Sequence, residues 1–128
     1  HIITPHPGEA ARLLSMETAA VQNDRFAAIR QLYDQQAGVV VLKGSGTLVY
    51  DGEHLGVCPY GNPAMAVAGM GDVLTGVIAA FIAQGMDLAQ ATSAGVCVHT
   101  KAGDLAADND SRGVLATEVI EKIRQVIN

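Results

Sequence analysis

Tryptophan is absent from this chain, and three tyrosines and two phenylalanines supply all of its aromatic rings. Single-stranded nucleic acid is held on stacking platforms of such rings, so that class of partner is excluded. Basic charge is also scarce, with 8 Lys+Arg against 13 Asp+Glu and a net charge of −5. A duplex-binding face needs the opposite balance. Neither shortage bears on one phosphate-bearing ligand held locally. Cysteine is limited to Cys58 and Cys97, with no CxxC and no metal spacing, which reads as two buried thiols in a reducing compartment. Long apolar runs are missing too. The longest, Val73 to Ala83, is interrupted by Thr75 and Gly76 and is too short to span a bilayer. The opening His1-Ile2-Ile3-Thr4-Pro5 carries no signal-peptide pattern and no initiator methionine. The expectation is a cytoplasmic chain, without membrane or nucleic-acid partners, that begins at the end of a strand whose neighbours lie outside it.

What is present is a core. A 128-residue chain with 49% hydrophobic residues has material for one domain and not for two full ones. Ile2-Ile3 reads as a strand end. Pro7 opens a helix over Gly8 to Leu14, and a second helix is expected from about Thr18 to Gln36, with Val21, Phe26, Ile29, Leu32 and Tyr33 at helical spacing. Val39-Val40-Val41-Leu42 is an unbroken run suited to a strand buried on both faces of a parallel sheet. Leu48-Val49-Tyr50 and Leu55-Gly56-Val57, around Asp51-Gly52, read as a hairpin. Helices are expected over Gly71 to Gln84, Leu88 to about Ala107, and Ala116 to Ile127, the last with Val119, Ile120, Ile123, Val126 and Ile127 inward. Ser111-Arg112-Gly113 reads as a loop. Alternating strands and helices point to an α/β fold with a parallel-sheet core flanked by helices. The strands are too few for a complete sheet, so residues 1–128 are expected to form one part of a larger domain.

Three stretches have the make-up of a site. In Gly61-Asn62-Pro63-Ala64-Met65-Ala66-Val67-Ala68-Gly69-Met70-Gly71-Asp72 the glycines let backbone N–H groups turn toward a ligand. The helix that follows aims its positive end at the same place. Gly69, Met70 and Gly71 thus form a candidate anion hole. A carboxylate there makes chemical sense if Asp72 takes the proton from a hydroxyl that attacks a phosphoryl group. The plain alternative is that Asp72 is only a helix cap. Lys43-Gly44-Ser45-Gly46-Thr47 follows the buried strand, at the strand end where α/β sheets hold their ligands. Lys43, one of three lysines, can reach a phosphate there, and Gly44 and Gly46 let a nucleotide lie against the backbone. The alternative is a turn with a solvated lysine, and the spacing is not that of a P-loop. In Thr4-Pro5-His6-Pro7-Gly8-Glu9 the prolines hold His6 rigidly, able to bond a substrate hydroxyl, amide or phosphate. Glu9 suits the helix dipole. His54 reads as solvated and His99 as a buried packing or hydrogen-bonding group. Asp104, Asp108 and Asp110 lack calcium-loop spacing and read as a solvated helix end.

Taken together and in this order, these three stretches, with Ala10-Ala11-Arg12-Leu13-Leu14 after the first and Val73-Leu74-Thr75-Gly76 after the third, resemble the ADP/ATP-dependent NAD(P)H-hydrate dehydratases of the ribokinase-like superfamily. The resemblance runs along essentially the whole chain and matches the C-terminal half of that family's domain. It implies repair of the hydrated cofactors NADHX and NADPHX to NADH and NADPH. Phosphorylation of the hydrate hydroxyl by ADP or ATP, with Mg²⁺ assisting, is followed by loss of phosphate. By motif, His6 and Asp72 would contact the hydrate and Asp72 would activate its hydroxyl. Lys43, Gly44, Ser45, Gly46 and Thr47, with Gly71, would hold the nucleotide, and no residue is assigned as a metal ligand. The resemblance also implies a homo-oligomer and, in many members, an epimerase domain N-terminal to this part. One position departs: members often carry glycine where this chain has Ala68.

Two other functions fit the same residues. A ribokinase-like kinase of a small alcohol or vitamin precursor would use the same anion hole and Asp72, although the Thr-Pro-His-Pro-Gly-Glu stretch is unusual for such kinases. A non-catalytic nucleotide-binding fragment would account for the scarcity of strands.

Overall fold

The computed structural model describes residues 1–108 and 113–128. It divides into two compact units, His1–Cys58 and Pro59–Asn128.

The first unit is built on a four-stranded sheet in the order β1-β2-β3-β4, formed by β1 (Ile2–Ile3), β2 (Val39–Leu42), β3 (Leu48–Tyr50) and β4 (Leu55–Val57). β1 and β2 pair in parallel, Ile2 with Val39 and Ile3 with Val40. The hairpin strands then continue the sheet antiparallel, Val41 opposite Val49 and Val49 opposite Gly56. The sheet is therefore mixed, because a four-residue connection from Tyr50 to Leu55 can only reverse the chain, whereas the parallel pair needs the long helical crossover between Ile3 and Val39. All four residues of β2 are buried, as the apolar run requires. Val40, Leu42 and Leu48 form a core with Ala10, Ala11, Val21, Ala28, Ile29 and Leu32 from the helices. Tyr33 meets Tyr50 edge-on at 5.2 Å between ring centroids.

The crossover holds α1 (Pro7–Leu14), α2 (Thr18–Asn23) and α3 (Arg25–Gln36). The single helix expected from Thr18 to Gln36 is thus two helices. Asp24 breaks it with φ −146° and ψ 82°, and its carboxylate accepts the Ala27 N–H at 2.9 Å. A side chain that competes this well for backbone donors favours a cap over a helix interior. The break also turns Phe26 outward: it is 47% exposed instead of facing the core.

The second unit is helical. A short 3₁₀ turn (Pro63–Met65) leads to α4 (Met70–Ala83), α5 (Leu88–Ala107) and α6 (Ala116–Ile127). Ala64, Met70, Ala102, Ala107, Val114 and Val119 form its core. α5 presents Ala91, Gly95, Ala102, Gly103 and other small residues as its buried surface, and this lets neighbouring backbones come close. Its buried Thr92 and Thr100 hydroxyls donate to the carbonyls one turn back, Leu88 and Val96. α6 buries Val119 fully, but Ile120 and Ile127, expected inward, are 54% and 55% exposed. Cys58 is buried and Cys97 is half-buried.

Candidate active site

Within the first unit, the parallel pairing of β1 and β2 brings their carboxyl ends to the same side. Thr4-Pro5-His6 leaves from one end and Lys43 from the other, and the Lys43 N–H donates to the Pro5 carbonyl at 3.0 Å. His6 and the Lys43–Thr47 loop are therefore neighbours.

His6 is the N-cap of α1. Its Nδ1 accepts the Glu9 N–H at 3.2 Å, and the Glu9 carboxylate accepts the His6 N–H at 2.8 Å. This reciprocal capping box gives Glu9 a role beyond compensating the dipole. It also fixes the imidazole: a ring whose Nδ1 accepts must carry its proton on Nε2 when neutral. Nε2 lies 3.6 Å from Glu9 Oε1, and both side chains are about half exposed, at 51% and 46%. The bond from the His6 amide holds the Glu9 carboxyl below its ordinary value. Burial works against this shift, and the charges of His6, Lys43 and Arg12 add to it.

The Lys43–Thr47 loop is held by a residue that the sequence did not single out. Arg25, first in α3, donates from Nη1 to the carbonyls of Ser45 and Gly46, and from Nη2 to those of Leu42 and Lys43. Thr47 Oγ1 donates to the Gly44 carbonyl at 3.2 Å, which makes Thr47, buried at 6% exposure, an internal brace of the loop. Arg25 is half-buried, and that burial pushes its pKa below the usual arginine value. Its signal emerges only once the helix start at Asp24 is known: a cation directly after a helix cap opposes the macrodipole, and so calls for a compensating partner.

In the second unit, Gly69 is the N-cap of α4, with φ +88°. Met70, Gly71 and Asp72 follow as the first three helical residues, so the helix starts one residue before the expected Gly71. Their N–H groups belong to the four that no helical carbonyl can accept. Asp72 is thus not the cap. It stands in the first turn, exposed, and among the described residues its carboxylate takes no hydrogen bond. A side chain on Gly69 would be strained at this φ and would come within 3.3 Å of Ala116 Cβ. Upstream, Asp104 accepts the Gly61 N–H at 3.1 Å and an Asn62 side-chain N–H at 2.8 Å. It is therefore a tie holding the start of the glycine-rich stretch and not part of a solvated helix end. Asp108 ends α5 in the left-handed region with φ 40°. Asp110, Ser111 and Arg112 lie outside the described residues.

Of the other histidines, His99 is buried in α5. His54 is 82% exposed, 3.4 Å from Asp51, whose carboxyl is held low mainly by the backbone N–H groups of His54 and Glu53. Among the described residues no group of three His, Cys, Asp or Glu side chains could hold a metal ion, and no helix is long and apolar enough to cross a membrane.

Residues 1–125 match the family model described as NAD(P)H-hydrate dehydratase. This chain belongs to that family. It is 55% identical over 128 residues to the bifunctional NAD(P)H-hydrate repair enzyme Nnr of Vibrio cholerae, covering 99% of this chain and 26% of the relative. It is 42% identical to the ADP-dependent (S)-NAD(P)H-hydrate dehydratase of Neisseria meningitidis, covering 99% of this chain and 44% of the relative. Among solved structures, the ADP/ATP-dependent dehydratase of Bacillus subtilis co-crystallized with ATP/Mg²⁺ superposes with a TM-score of 0.91 at 30% identity, over 98% of this chain and 46% of that one. A ribokinase-like superfamily protein of Enterococcus faecalis superposes at 0.82 with 25% identity, over 98% of this chain and 43% of that one. The fold is ribokinase-like, and the chain spans from about a quarter to under half of the relatives it matches.

Proposed function

We propose that residues 1–128 form the C-terminal portion of one ribokinase-like domain that dehydrates NADHX and NADPHX to NADH and NADPH at the expense of ADP or ATP. The observation that carries this reading is the start of α4. There an exposed carboxylate stands in the first turn of a helix whose first N–H groups lack helical acceptors, in a chain of which residues 1–125 match the dehydratase family. Those amides suit the phosphoryl oxygens on which charge builds during transfer. Asp72 takes the proton of the hydrate hydroxyl as its oxygen bonds to the terminal phosphorus of the nucleotide, and the nucleotide leaves with the electrons of the broken P–O bond. The C–O bond of the phosphorylated hydrate then breaks, phosphate leaves with its electrons, and the neighbouring ring carbon gives up a proton so that its C–H electrons form the C=C bond of the dihydronicotinamide ring.

In this reading Lys43, Gly44, Ser45, Gly46 and Thr47, with Gly71, hold the nucleotide, and His6, with Nε2–H available, contacts the hydrate. No residue of this chain is assigned to Mg²⁺, which would come with the nucleotide and offset the charge of its phosphates. The names of the Neisseria and Bacillus relatives support nucleotide dependence, and that of the Bacillus structure supports ATP with Mg²⁺. The bifunctional relatives support a second activity on the same polypeptide, for which an N-terminal epimerase domain is our reading.

The test is recovery of NADH absorbance from NADHX with Mg²⁺ and either ADP or ATP. Asp72→Asn is expected to lower kcat by about 10²–10⁴-fold, the usual worth of a general base, while nucleotide affinity stays the same. A stable phosphate ester in place of NADH would establish the small-alcohol kinase instead. Full activity in the variant would remove Asp72 from the chemistry.

A further inference from the structure

Arg25 stands where the helix dipole disfavours it, at the first position of α3, and its guanidinium is spent on four carbonyls of a neighbouring segment. Nη2 reaches Leu42 at 3.1 Å and Lys43 at 3.3 Å, and Nη1 reaches Ser45 and, at 3.3 Å, Gly46. The fork therefore spans the last residue of β2 and the loop after it. Gly44 lies between, with φ +147°, and a Cβ there would come within 3.0 Å of Nη2. The loop accepts Arg25 because this position has no side chain.

The consequence lies on the other side of the loop. In a trans peptide the carbonyl of one residue and the N–H of the next point in opposite directions. Gathering the carbonyls of Lys43, Ser45 and Gly46 onto Arg25 turns the N–H groups of Gly44, Gly46 and Thr47 away from it. Among the described residues no backbone carbonyl outside the strands takes the Gly44 or Gly46 N–H. A run of N–H groups turned to one side of a loop is a cradle for anionic oxygens, and Lys43 stands at its start.

We propose that Arg25 is a positioning residue for nucleotide binding: it pulls the loop carbonyls to one side so that the opposite amides face the nucleotide. This rests on the function proposed above. Lysine keeps the charge but cannot fork across four acceptors, so Arg25→Lys isolates geometry from charge, Arg25→Ala removes both, and Arg30→Ala, an exposed arginine of the same helix, serves as control.

Two measurements separate the parts. Amide hydrogen exchange on the nucleotide-free protein reads loop order without assuming a ligand. Steady-state kinetics with ADP or ATP varied against NADHX reads function. The expected result is faster exchange at Gly44, Gly46 and Thr47 in both Arg25 variants. The nucleotide KM should rise about tenfold in Arg25→Lys and further in Arg25→Ala, as suits the loss of charge-assisted bonds. The hydrate KM and kcat should stay within about twofold, the melting temperature near that of Arg30→Ala, and methylguanidinium should partly restore Arg25→Ala. Unchanged exchange overturns the proposal, as does faster exchange with an unchanged nucleotide KM. So does equal loss in every parameter together with a collapsed melting temperature, which is the mark of a merely structural arginine. If the wild-type protein itself binds neither nucleotide, the functional reading fails first and takes this inference with it.

Discussion

The pairing of His6 and Glu9 makes one turn of helix sensitive to acid. The Glu9 carboxyl is held below its ordinary value chiefly because it accepts the His6 N–H. A group whose pKa is depressed on folding contributes stability above its unfolded value, about 4.3 for glutamate. That contribution is lost as pH falls through the depressed one. Wild type and Glu9→Gln should therefore differ most in urea midpoint near neutrality, and the difference should vanish in strong acid. A difference that stays constant across that range would show that Glu9 acts by packing and not by charge. The same pair shows how far single residues were legible in advance. His6, fixed between two prolines, and Asp72, at the end of Gly69-Met70-Gly71, stand out by their local context. Arg25 does not, because its partners are backbone carbonyls from 17 to 21 residues away, and carbonyls carry no residue identity. Asp104 was missed for the same reason: its partners Gly61 and Asn62 lie 43 and 42 residues distant.

Elements were more legible than their faces. The bounds of α5 and α6 follow from apolar spacing and caps, and β2 follows from four buried aliphatic residues in a row. The break between α2 and α3 was concealed because Val21, Ile29 and Leu32 keep helical spacing across Asp24, so periodicity alone gives no sign of a cap. On α6, Ile120 and Ile127 share the apolar composition of Val119, and composition does not say which face a neighbouring helix covers. They line a groove of about 550 Å³ beside Val73, Val77 and Phe81 of α4. Where α4 and α5 do meet, the fit is close enough to predict from. A Cβ on Gly95 would lie 2.6 Å from Ile78 Cγ1, 3.3 Å from its Cα and 3.4 Å from its backbone N. The side chain can rotate, but the backbone of α4 would have to move. Gly95→Ala thus sets a gain in helix propensity of up to about 1 kcal/mol against an overpacking cost of about 1–3 kcal/mol. The net expectation is a loss of roughly 1 kcal/mol in chemical denaturation. A more stable Gly95→Ala would show that the two helices separate without cost.

At the scale of the molecule, the proposed nucleotide contacts fall in both compact units, the Lys43–Thr47 loop in one and the start of α4 in the other. A ligand that binds only the native state stabilises it by RT ln(1 + [L]/Kd), or about 2.7 kcal/mol at a hundredfold excess over Kd. For a chain of this size that corresponds to a rise in melting temperature of roughly 10 °C. ADP or ATP should give such a rise, and Asp72→Asn should keep it, because in the proposed mechanism the carboxylate acts on the hydroxyl and not on the nucleotide. The rise alone does not say which residues are engaged, whereas hydrogen exchange does. If one nucleotide uses both sets of amides, protection should grow at Gly44 to Thr47 and also at Met70 to Asp72. Protection confined to the first set would leave the nucleotide on the Arg25-braced loop alone and remove Gly71 from its binding. Protection confined to the second would make the helix start the sole anion site and leave the Lys43 loop without a ligand. The net charge of −5 sharpens this comparison. A polyanion finds no general attraction on such a chain, so amides that gain protection at low nucleotide concentration mark a local site.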